Sequence, residues 1–502
     1  MKRKLALLMA MIMCLSLCAC GGSPDSNRRD DNDDDDDDTG KKNPWLEEET
    51  ETETESDIAI GEDATVKFQV PEGGYDGSEV TIVFYHTMGA NLRGVLDRAI
   101  EDFNELYPNI KILHEQVGNY DNLCETIGKE ITQGKSPNIA YCYPEHVALY
   151  NKVDAVIPLD SLIESTEMVT SADGRTEALG LSKAQIRDFV EGFYNQGKTY
   201  GDGLMYTLPL SKSTELLYYN KTFFEEHGLK VPVTWEEMEA VCERILEIDP
   251  QSIPLAYASE ANWFITMSQQ LGAEYTSAKG DHYLFDNKEN QDFVMDIRKW
   301  YQKGYLITQT QYGAFTSGLF TAETGTKSYM SIDSSAGATY NRPLRNEDGT
   351  YPFEVGITTI PQYDVSNPKV ISQGPSLCIF QKENPQEVLA SWLFVKFLTT
   401  NIEFQTEFSI ASGYMPVLES ATEDWQYKEL LNSADGGDRV AALALKVALE
   451  QKDAYFDLPS FKTSGEVREV VGELLVQCMS AEDETQIKKL FEDAVKELKY
   501  ME

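Results

Sequence analysis

The sequence has few of the residues with which hydrolases and metalloproteins most often work. Only five histidines occur among 502 residues, and they stand at positions 86, 114, 146, 227 and 282 without metal-ligand spacing. No G-x-S-x-G, H-E-x-x-H or phosphate-binding-loop pattern is present. We therefore expect neither catalysis nor a bound metal or cofactor. The many carboxylates still leave a surface-anchored glycoside hydrolase open as the competing class.

Basic residues are also scarce. Lys and Arg total 43 against 84 Asp and Glu, which gives a net charge of −41. A chain this acidic repels phosphate backbones and anionic lipid headgroups. Nucleic acid and the membrane surface itself are therefore excluded as binding partners.

Cysteines are few in the larger part of the chain. Eight occur in total, and three of them lie within the first 20 residues. The other five are widely spaced, with no CxxC pair: Cys124, Cys142, Cys242, Cys378 and Cys478. This pattern predicts buried free thiols rather than a disulfide framework, with a single disulfide left open.

A long apolar run occurs at the N-terminus. Three basic residues, 2–4, precede the apolar stretch Leu5–Leu17, which has the length of a signal-peptide core and is too short for a convincing membrane span. The following Leu-Cys-Ala-Cys-Gly resembles a bacterial lipobox. It implies a signal peptide over 1–19, cleavage before Cys20 and diacylglycerol on the Cys20 thiol, hence an extracytoplasmic protein anchored to the cell membrane. An ordinary signal peptide that contains cysteines is the alternative.

The segment that follows, residues 20–65, is of low complexity. Between residues 21 and 63 it carries 18 acidic and 4 basic residues and almost no apolar ones. Such a segment cannot bury enough surface to fold, and its charges repel one another. We predict a disordered, extended tether.

From about residue 78 onward, about 425 residues remain, which is more than one hydrophobic core usually serves. Strand-like and amphipathic segments alternate as β-α-β-α-β between 80 and 144, which predicts a mostly parallel α/β sheet. Ligands gather at the carboxyl ends of such strands. Here those ends are 85–89, 118–120 and 141–145.

One stretch, LPLSKSTELLYYNKTFFEEHG at 208–228, places a polar segment directly before a strand. The run 216–219 favours a strand, and Asn220 suits the N-cap of a helix that Gly228 would end. Thr234 and Glu237 then have capping-box spacing for the next helix. The polar SKST side chains are thus predicted to lie at the start of a strand, where they can line a cleft.

This stretch, continued to Met238, resembles the central signature of the extracellular solute-binding proteins of bacterial ABC importers, in the group that handles sugars. ASWLFVKFLTTNIEFQTEFSIASGYMPV, at 390–417, is similar to the late signature of that group. FYHTMGANL, FNELYPNIKI, GNYDNL and YYNKTFF are similar to the members that bind glycerol 3-phosphate. The resemblance covers about residues 80–500.

The resemblance implies an α/β, two-lobed periplasmic-binding-protein-like fold of type II, with the ligand in the cleft and three crossings between lobes, near 208, 327 and 373. Lobe 1 would comprise 78–207 and 328–372, and lobe 2 would comprise 208–327 and 373–502. It also implies a monomer that docks on ABC permease subunits.

The resemblance further implies ligand contacts. Five residues match family contacts directly, Glu145 is one residue from an aligned glutamate, Trp263 falls where relatives stack an indole on the ligand, and His86 adjoins a strand end. Each has an ordinary structural alternative, such as core packing, helix capping or a hinge turn. The eight candidates are Tyr120, Glu145, Ser213, Trp263, Ser334, Gly374, Tyr414 and His86.

The identity of the ligand follows less directly from the resemblance. The members that bind glycerol 3-phosphate carry a phosphate-pairing arginine where this chain reads Tyr-Phe-Asp-Leu-Pro at 455–459, and the next arginine is Arg468. The second of their two tryptophans is also missing. Aromatic rings and carboxylates suit sugars, so a sugar or oligosaccharide is expected. A glycerol phosphate or glycerophosphodiester is the alternative. A chemosensory binding lipoprotein would share the fold.

Overall fold

A computed structural model describes residues 68–433 and 440–502. The predicted signal peptide, the lipidation at Cys20 and the acidic tether lie outside the described residues. In chain order, the strands of the described residues are β1 (Val80–His86), β2 (Ile110–Gln116), β3 (Ile139–Cys142), β4 (Met168–Thr170), β5 (Thr176–Ala178), β6 (Leu208–Pro209), β7 (Ser213–Asn220), β8 (Leu255–Tyr257), β9 (Leu306–Thr308), β10 (Met330–Ser334), β11 (Val355–Thr358), β12 (Ser372–Gln373) and β13 (Ser376–Ile379).

The α-helices of these residues vary from single turns to five turns. In chain order they are α1 (Ala90–Leu106), α2 (Tyr120–Thr132), α3 (Pro144–Tyr150), α4 (Asp160–Ile163), α5 (Lys183–Asp188), α6 (Glu191–Asn195), α7 (Lys221–His227), α8 (Trp235–Ile248), α9 (Glu260–Leu271), α10 (Lys288–Gln302), α11 (Gln309–Tyr312), α12 (Ser317–Phe320), α13 (Pro385–Thr400), α14 (Ile402–Ser412), α15 (Glu419–Thr422), α16 (Trp425–Asn432), α17 (Val440–Glu450), α18 (Ser464–Met479) and α19 (Glu484–Met501).

Two main sheets organise the chain. The first has the order β2-β1-β3-β13-β6, with β1, β2 and β3 parallel and β13 antiparallel to its neighbours. The second has the order β11-β7-β10-β8-β9, and β12 pairs with the start of β7. A small hairpin, β4-β5, stands apart. The predicted β-α-β-α-β unit is β1-α1-β2-α2-β3 of the first sheet.

Local sequence sets the element ends as expected. The Asn220 side chain accepts the Phe223 N–H at 2.9 Å at the start of α7, and Gly228 adopts the left-handed conformation at its end. At α8 the Thr234 hydroxyl accepts the Glu237 N–H at 3.1 Å, and the Glu237 carboxylate accepts the Thr234 N–H in return. Both caps were predicted from the sequence.

Each sheet is covered by its own helices, and each has its own apolar core. Helices α1, α13 and α14 pack on the first sheet, with Leu96, Phe103 and Phe394 fully buried between them. Helices α8, α9, α10, α18 and α19 form the core of the second sheet, and α17 packs against β7 and β11. We call the first sheet with its helices the first lobe, and the second sheet with its helices the second lobe.

The division expected from the resemblance differs from this pairing in two places. Strands β10 and β11 pair with β7, with Met330 opposite Tyr219 and Val355 opposite Asn220, so the segment 328–372 lies in the second lobe rather than the first. Strand β13 and helices α13 and α14 return to the first lobe. The chain therefore passes between the sheets at β6–β7 and at β12–β13, which we call the two crossings, and it passes between the lobes a third time between α14 and α17. Three passages are present, as expected, but none lies near 327.

The five cysteines of the described chain are all free, and four of them are buried, as predicted. Cys142 on β3 and Cys378 on β13 lie on adjacent strands. In the same residues, no helix combines the length and the apolar character that a membrane crossing requires.

Candidate ligand-binding site

A cavity with an empty volume of ≈ 700 Å³ lies where the chain passes between the two sheets. The first lobe contributes Tyr143 and Glu145, which follow the carboxyl end of β3. The two crossings contribute Lys212 and Gly374, and the second lobe contributes Arg468 from α18. The cavity is thus bounded by both lobes and by the segments that connect them, and we refer to it as the pocket.

The lobes approach each other closely beside the pocket. The Glu145 side chain extends from α3 to the first turn of α18, where its Cγ lies 3.7 Å from the position that a Cβ on Gly465 would take. The two lobes are thus within van der Waals distance at this point.

The crossings are joined by backbone and side-chain hydrogen bonds. Ser213 Oγ donates to the Gln373 carbonyl at 3.1 Å. Gly374 has φ 152°, and a Cβ there would lie 2.3 Å from the Ser211 carbonyl oxygen. Only glycine fits so close an approach of two chain segments. The crossings therefore form one narrow, well-defined connection between the lobes.

Lys212 lies on this connection with its ammonium group buried. The residue is 1% exposed, and its Nζ donates to Gly374 O at 3.1 Å and to Ser376 Oγ at 3.3 Å. Burial lowers the pKa of Lys212 from 10.5 to about 8, against the opposing influence of Cys142, Asp457 and Glu145. The group remains mostly protonated at neutral pH, so a positive charge faces the pocket.

Arg468 contributes a second cation, held in place by amides. Its guanidinium donates to Asn262 Oδ1. When the Gln373 side-chain amide is oriented so that its oxygen and nitrogen both have hydrogen-bond partners, the oxygen accepts from Arg468, with N···O distances of 2.7 and 3.2 Å. Behind this group, the Tyr257 hydroxyl donates to the buried Glu215 carboxyl at 2.6 Å, and burial raises the pKa of Glu215 to about 7. Arg468 is therefore fixed by neutral partners beside a carboxyl that is only partly ionised at neutral pH.

Aromatic rings form much of the remaining wall. Tyr143, Tyr275 and Phe456 line the pocket. Tyr143 packs on Tyr120 with ring centroids 4.6 Å apart, and burial raises the pKa of both phenols, so both are neutral. The polar remainder includes amides and hydroxyls, namely those of Gln196, Thr199, Ser372, Gln373, Ser460 and Ser464.

Five of the eight predicted residues lie at or next to the pocket. Glu145 and Gly374 line it, and Ser213 adjoins Lys212 on the first crossing. Tyr120 stands behind Tyr143, and Tyr414 is close enough to influence the pKa of Tyr120. The structure thus brings together residues that lie 294 positions apart in sequence, from 120 to 414.

The other three predicted residues lie elsewhere. Trp263 is 0% exposed and stacks on Tyr257 with centroids 4.4 Å apart, because α9 turns the indole into the core of the second lobe. His86 is buried in the first lobe, where its Nε2 lies 2.9 Å from the Nδ1 of His114. Ser334 caps the turn after β10 by accepting the Ala336 N–H at 3.2 Å. In this structure none of the three lines the pocket.

Sequence reasoning missed Lys212, Arg468 and Tyr275 as pocket residues. Lys212 stands inside the SKST segment, and its charge in a segment predicted to face a cleft was an available signal. Arg468 was considered only as too distant from the 455–459 stretch, yet the turn at 459–463 brings the start of α18 to the same wall. Tyr275 is 5% exposed and follows α9 without any sequence signal.

Two α/β lobes with a polar and aromatic pocket at their connection define a class of protein that captures a small solute. In agreement with this, the family model for bacterial extracellular solute-binding proteins matches residues 98–432. The chain belongs to this family of extracellular solute-binding proteins.

Curated relatives include the sn-glycerol-3-phosphate-binding periplasmic protein UgpB of Salmonella typhimurium. The chain is 23% identical to it over 355 residues, which cover 68% of this chain and 75% of that protein. The resemblance to glycerol-3-phosphate-binding members is thereby confirmed. The family and this relative are both named for binding a solute outside the cytoplasm.

Solved structures share the fold. The cyclic alpha-maltosyl-1,6-maltose binding protein from Arthrobacter globiformis superposes with a TM-score of 0.65 at 18% identity, covering 84% of this chain and 99% of that one. UgpB from Mycobacterium tuberculosis, solved with glycerophosphocholine, also gives a TM-score of 0.65, at 17% identity, covering 84% and 98%. The predicted type II periplasmic-binding-protein fold is confirmed.

Proposed function

We propose that the chain is the solute-capturing lipoprotein of an ABC importer, which binds a sugar or oligosaccharide outside the membrane and delivers it to the permease. The observation that carries the proposal is the pocket itself. It lies on the connection between the lobes, where a ligand contacts both of them, and its wall combines aromatic rings with amides and hydroxyls. Rings pack on the apolar faces of sugars, and amides pair with their hydroxyl groups.

The position of the pocket allows ligand binding to be coupled to closure of the two lobes. Only short segments join the lobes beside the pocket, and they are held by the hydrogen bonds of Ser213 and Lys212. A ligand that contacts Tyr143 of the first lobe and Arg468 of the second favours the closed arrangement, because it binds that arrangement better. The closed form is the one we expect to dock on the permease.

The membrane anchor is supported by the sequence alone. A mature chain that begins at Cys20 would be held by its lipid and separated from the bilayer by the acidic tether. Radiolabelled palmitate supplied to expressing cells should label the wild-type chain and not a Cys20→Ser variant. Equal labelling of both would overturn the anchor and leave the binding function untouched.

A glycerol phosphate compound is a second candidate, and one observation favours it. The expectation of a sugar rested partly on the absence of an arginine near 455–459, but Arg468 lines the pocket from α18. Arginine is well suited to phosphate. The glycerol-3-phosphate-binding relatives agree with this candidate.

The test is a thermal-shift screen of the full chain, in mild detergent, against sugars, oligosaccharides, polyols and glycerol phosphates. A ligand at a hundredfold excess over its Kd stabilises the folded state by about 2.7 kcal/mol, so its melting temperature rises. The shift should be lost in Tyr143→Ala and kept in Tyr363→Ala, whose ring lies outside the pocket and is 43% exposed. A shift that Tyr143→Ala retains in full would place the ligand elsewhere.

A further inference from the structure

The pocket has an unusual charge for this molecule. The chain carries a net charge of −41, yet the charged side chains that line the pocket are one carboxylate, Glu145, and two cations, Lys212 and Arg468. Lysines and arginines elsewhere in the chain commonly have a carboxylate within ion-pair distance. Neither pocket cation has a carboxylate within ion-pair distance among the residues that the structure describes, and the carboxylates of Asp457 and Glu145 act on Lys212 only from farther away.

Of the two cations, Lys212 gives the stronger indication of an anionic ligand. An ammonium group has three N–H donors, and two of them meet neutral acceptors, Gly374 O and Ser376 Oγ. No acceptor for the third occurs within residues 68–433 and 440–502. The nearby Cys142 is a neutral thiol, because burial raises its pKa well above the ordinary value. A buried charge without a counter-charge in direct contact costs the fold free energy.

Arg468 has the same deficit. Its partners are the amide oxygens of Asn262 and Gln373, which hold the guanidinium in place without neutralising it. Amide partners of this kind position a guanidinium and leave further N–H groups for another acceptor. Gln373 also belongs to the second crossing, so Arg468 is oriented by the same segment that carries Gly374.

The start of α18 adds a third positive feature. Ser464, its first residue, lines the pocket, and no side chain caps its first turn. The N-terminus of a 16-residue helix carries a partial positive charge and free N–H groups. Lys212 from the first crossing, and Arg468 with this helix end from the second lobe, therefore face one pocket.

We propose that Lys212 and Arg468 form a subsite for an anionic group, so that the captured sugar or polyol carries a carboxylate or a phosphate. This rests on the proposed function, since it concerns the ligand of the same pocket. The anionic group supplies a counter-charge in direct contact with the two cations, and the aromatic rings and Glu145 contact the hydroxylated remainder. Carboxylate and phosphate share the chemistry that the two cations recognise.

The test compares matched neutral and anionic probes by titration calorimetry on the full chain at pH 7 and constant ionic strength. The pairs are glucose with glucuronate and glycerol with glycerol 3-phosphate, and inorganic phosphate is included as a bare anion. We expect one anionic member to bind at least about tenfold more tightly than its neutral counterpart. The arm that responds distinguishes a carboxylate ligand from a phosphate ligand.

Variants then assign the effect to the two cations. Lys212→Met and Arg468→Gln should each weaken the anionic probe by about thirtyfold, as is typical when one member of a buried charge pair is removed. Lys212→Arg should retain most of the affinity. The matched controls are Lys396→Met, a buried lysine of α13 outside the pocket, and Arg298→Gln, which bonds carbonyls near α19. Neither control should change the affinity.

The outcomes distinguish failure of the anionic subsite from failure of the proposed function. If neutral probes bind as tightly as their anionic partners, or if the anionic affinity survives both pocket variants, the subsite is overturned and the proposed function stands. If no hydroxylated probe of either charge binds, both fail. Binding of inorganic phosphate alone, with no gain from the glycerol or sugar portion, would mean an adventitious ion and would also overturn the proposal.

Discussion

Replacing Lys212 with methionine should make the folded protein more stable while removing its anion binding. Methionine keeps the length and most of the volume of the lysine stem, so packing is largely preserved. What it removes is a charge held in a site 1% exposed to solvent. A lysine that served the structure alone would show the opposite result, a loss of stability.

The magnitude follows from the pKa. Burial lowers the pKa of Lys212 from 10.5 to about 8, and at about 1.4 kcal/mol for each pH unit the charge costs the folded state about 3 kcal/mol at neutral pH. Loss of the hydrogen bonds to Gly374 O and Ser376 Oγ offsets about 1 kcal/mol each. The expected net gain for Lys212→Met is therefore about 1 kcal/mol at pH 7.

The pH dependence has a definite sign. Between pH 8 and pH 10.5 the unfolded chain keeps the lysine proton that the folded chain has lost, so the stability of the wild type rises relative to the variant. The gain of Lys212→Met should shrink as the pH rises and disappear between about pH 9 and 10. Comparing the two proteins cancels the titration of groups distant from Lys212, whereas the pKa of Asp457, which the lysine charge lowers, should rise in the variant.

The assay is urea unfolding followed by far-ultraviolet circular dichroism, at pH 7 and at pH 9.5, for the wild type and Lys212→Met. Lys396→Met serves as the matched buried-lysine control outside the pocket, and anionic-probe titration is run on the same samples. The reasoning is refuted if Lys212→Met is less stable than the wild type at pH 7 by more than 1 kcal/mol and the difference stays the same at pH 9.5.

Three further predictions concern the scaffold. Gly374→Ala should cost about 3 kcal/mol or more, because its Cβ would lie 2.3 Å from Ser211 O at a φ of 152°, whereas Gly89→Ala, with open space around it, should change stability by less than about 0.5 kcal/mol in urea unfolding. Burial lowers the pKa of His86 to about 3. As the pH falls, the unfolded chain therefore takes up a proton at His86 before the folded chain does, and the free energy of unfolding should fall between pH 6.5 and pH 3 by up to about 1.4 kcal/mol per pH unit. A His86→Leu variant with the same slope over that range would contradict this. Trp263→Ala should lower the free energy of unfolding by about 3–5 kcal/mol. The Kd of the remaining folded protein, measured by titration, should stay unchanged. A selective loss of affinity would show that the indole contacts the ligand.

The sequence predicted the fold well where the evidence was local or family-wide. The caps at Asn220 and Thr234 and the apolar face of α1 follow from residue spacing, and the structure confirms them. The lobe division at 327 could not be obtained this way. Only the pairing of strands β10 and β11 with β7, more than 100 residues earlier, assigns them to the second lobe.

The pocket was predictable in part. Glu145 follows a strand end and Gly374 lies at a crossing, so both could be found from position in the chain. Trp263 shows the limit, because a helix presents neighbouring residues in different directions, and α9 turns Asn262 toward Arg468 while Trp263 enters the core. Whether Lys212 has a counter-charge depends on which distant groups surround it, which the linear sequence does not contain.

The most direct test of the account is calorimetric titration of the full chain with the hydroxylated acids and phosphates, in parallel for the wild type and Arg468→Gln. The account predicts one binding site per chain in the wild type and an affinity about thirtyfold lower in the variant. Binding of equal affinity in both proteins would contradict it, because Arg468 would then contribute nothing to holding the solute.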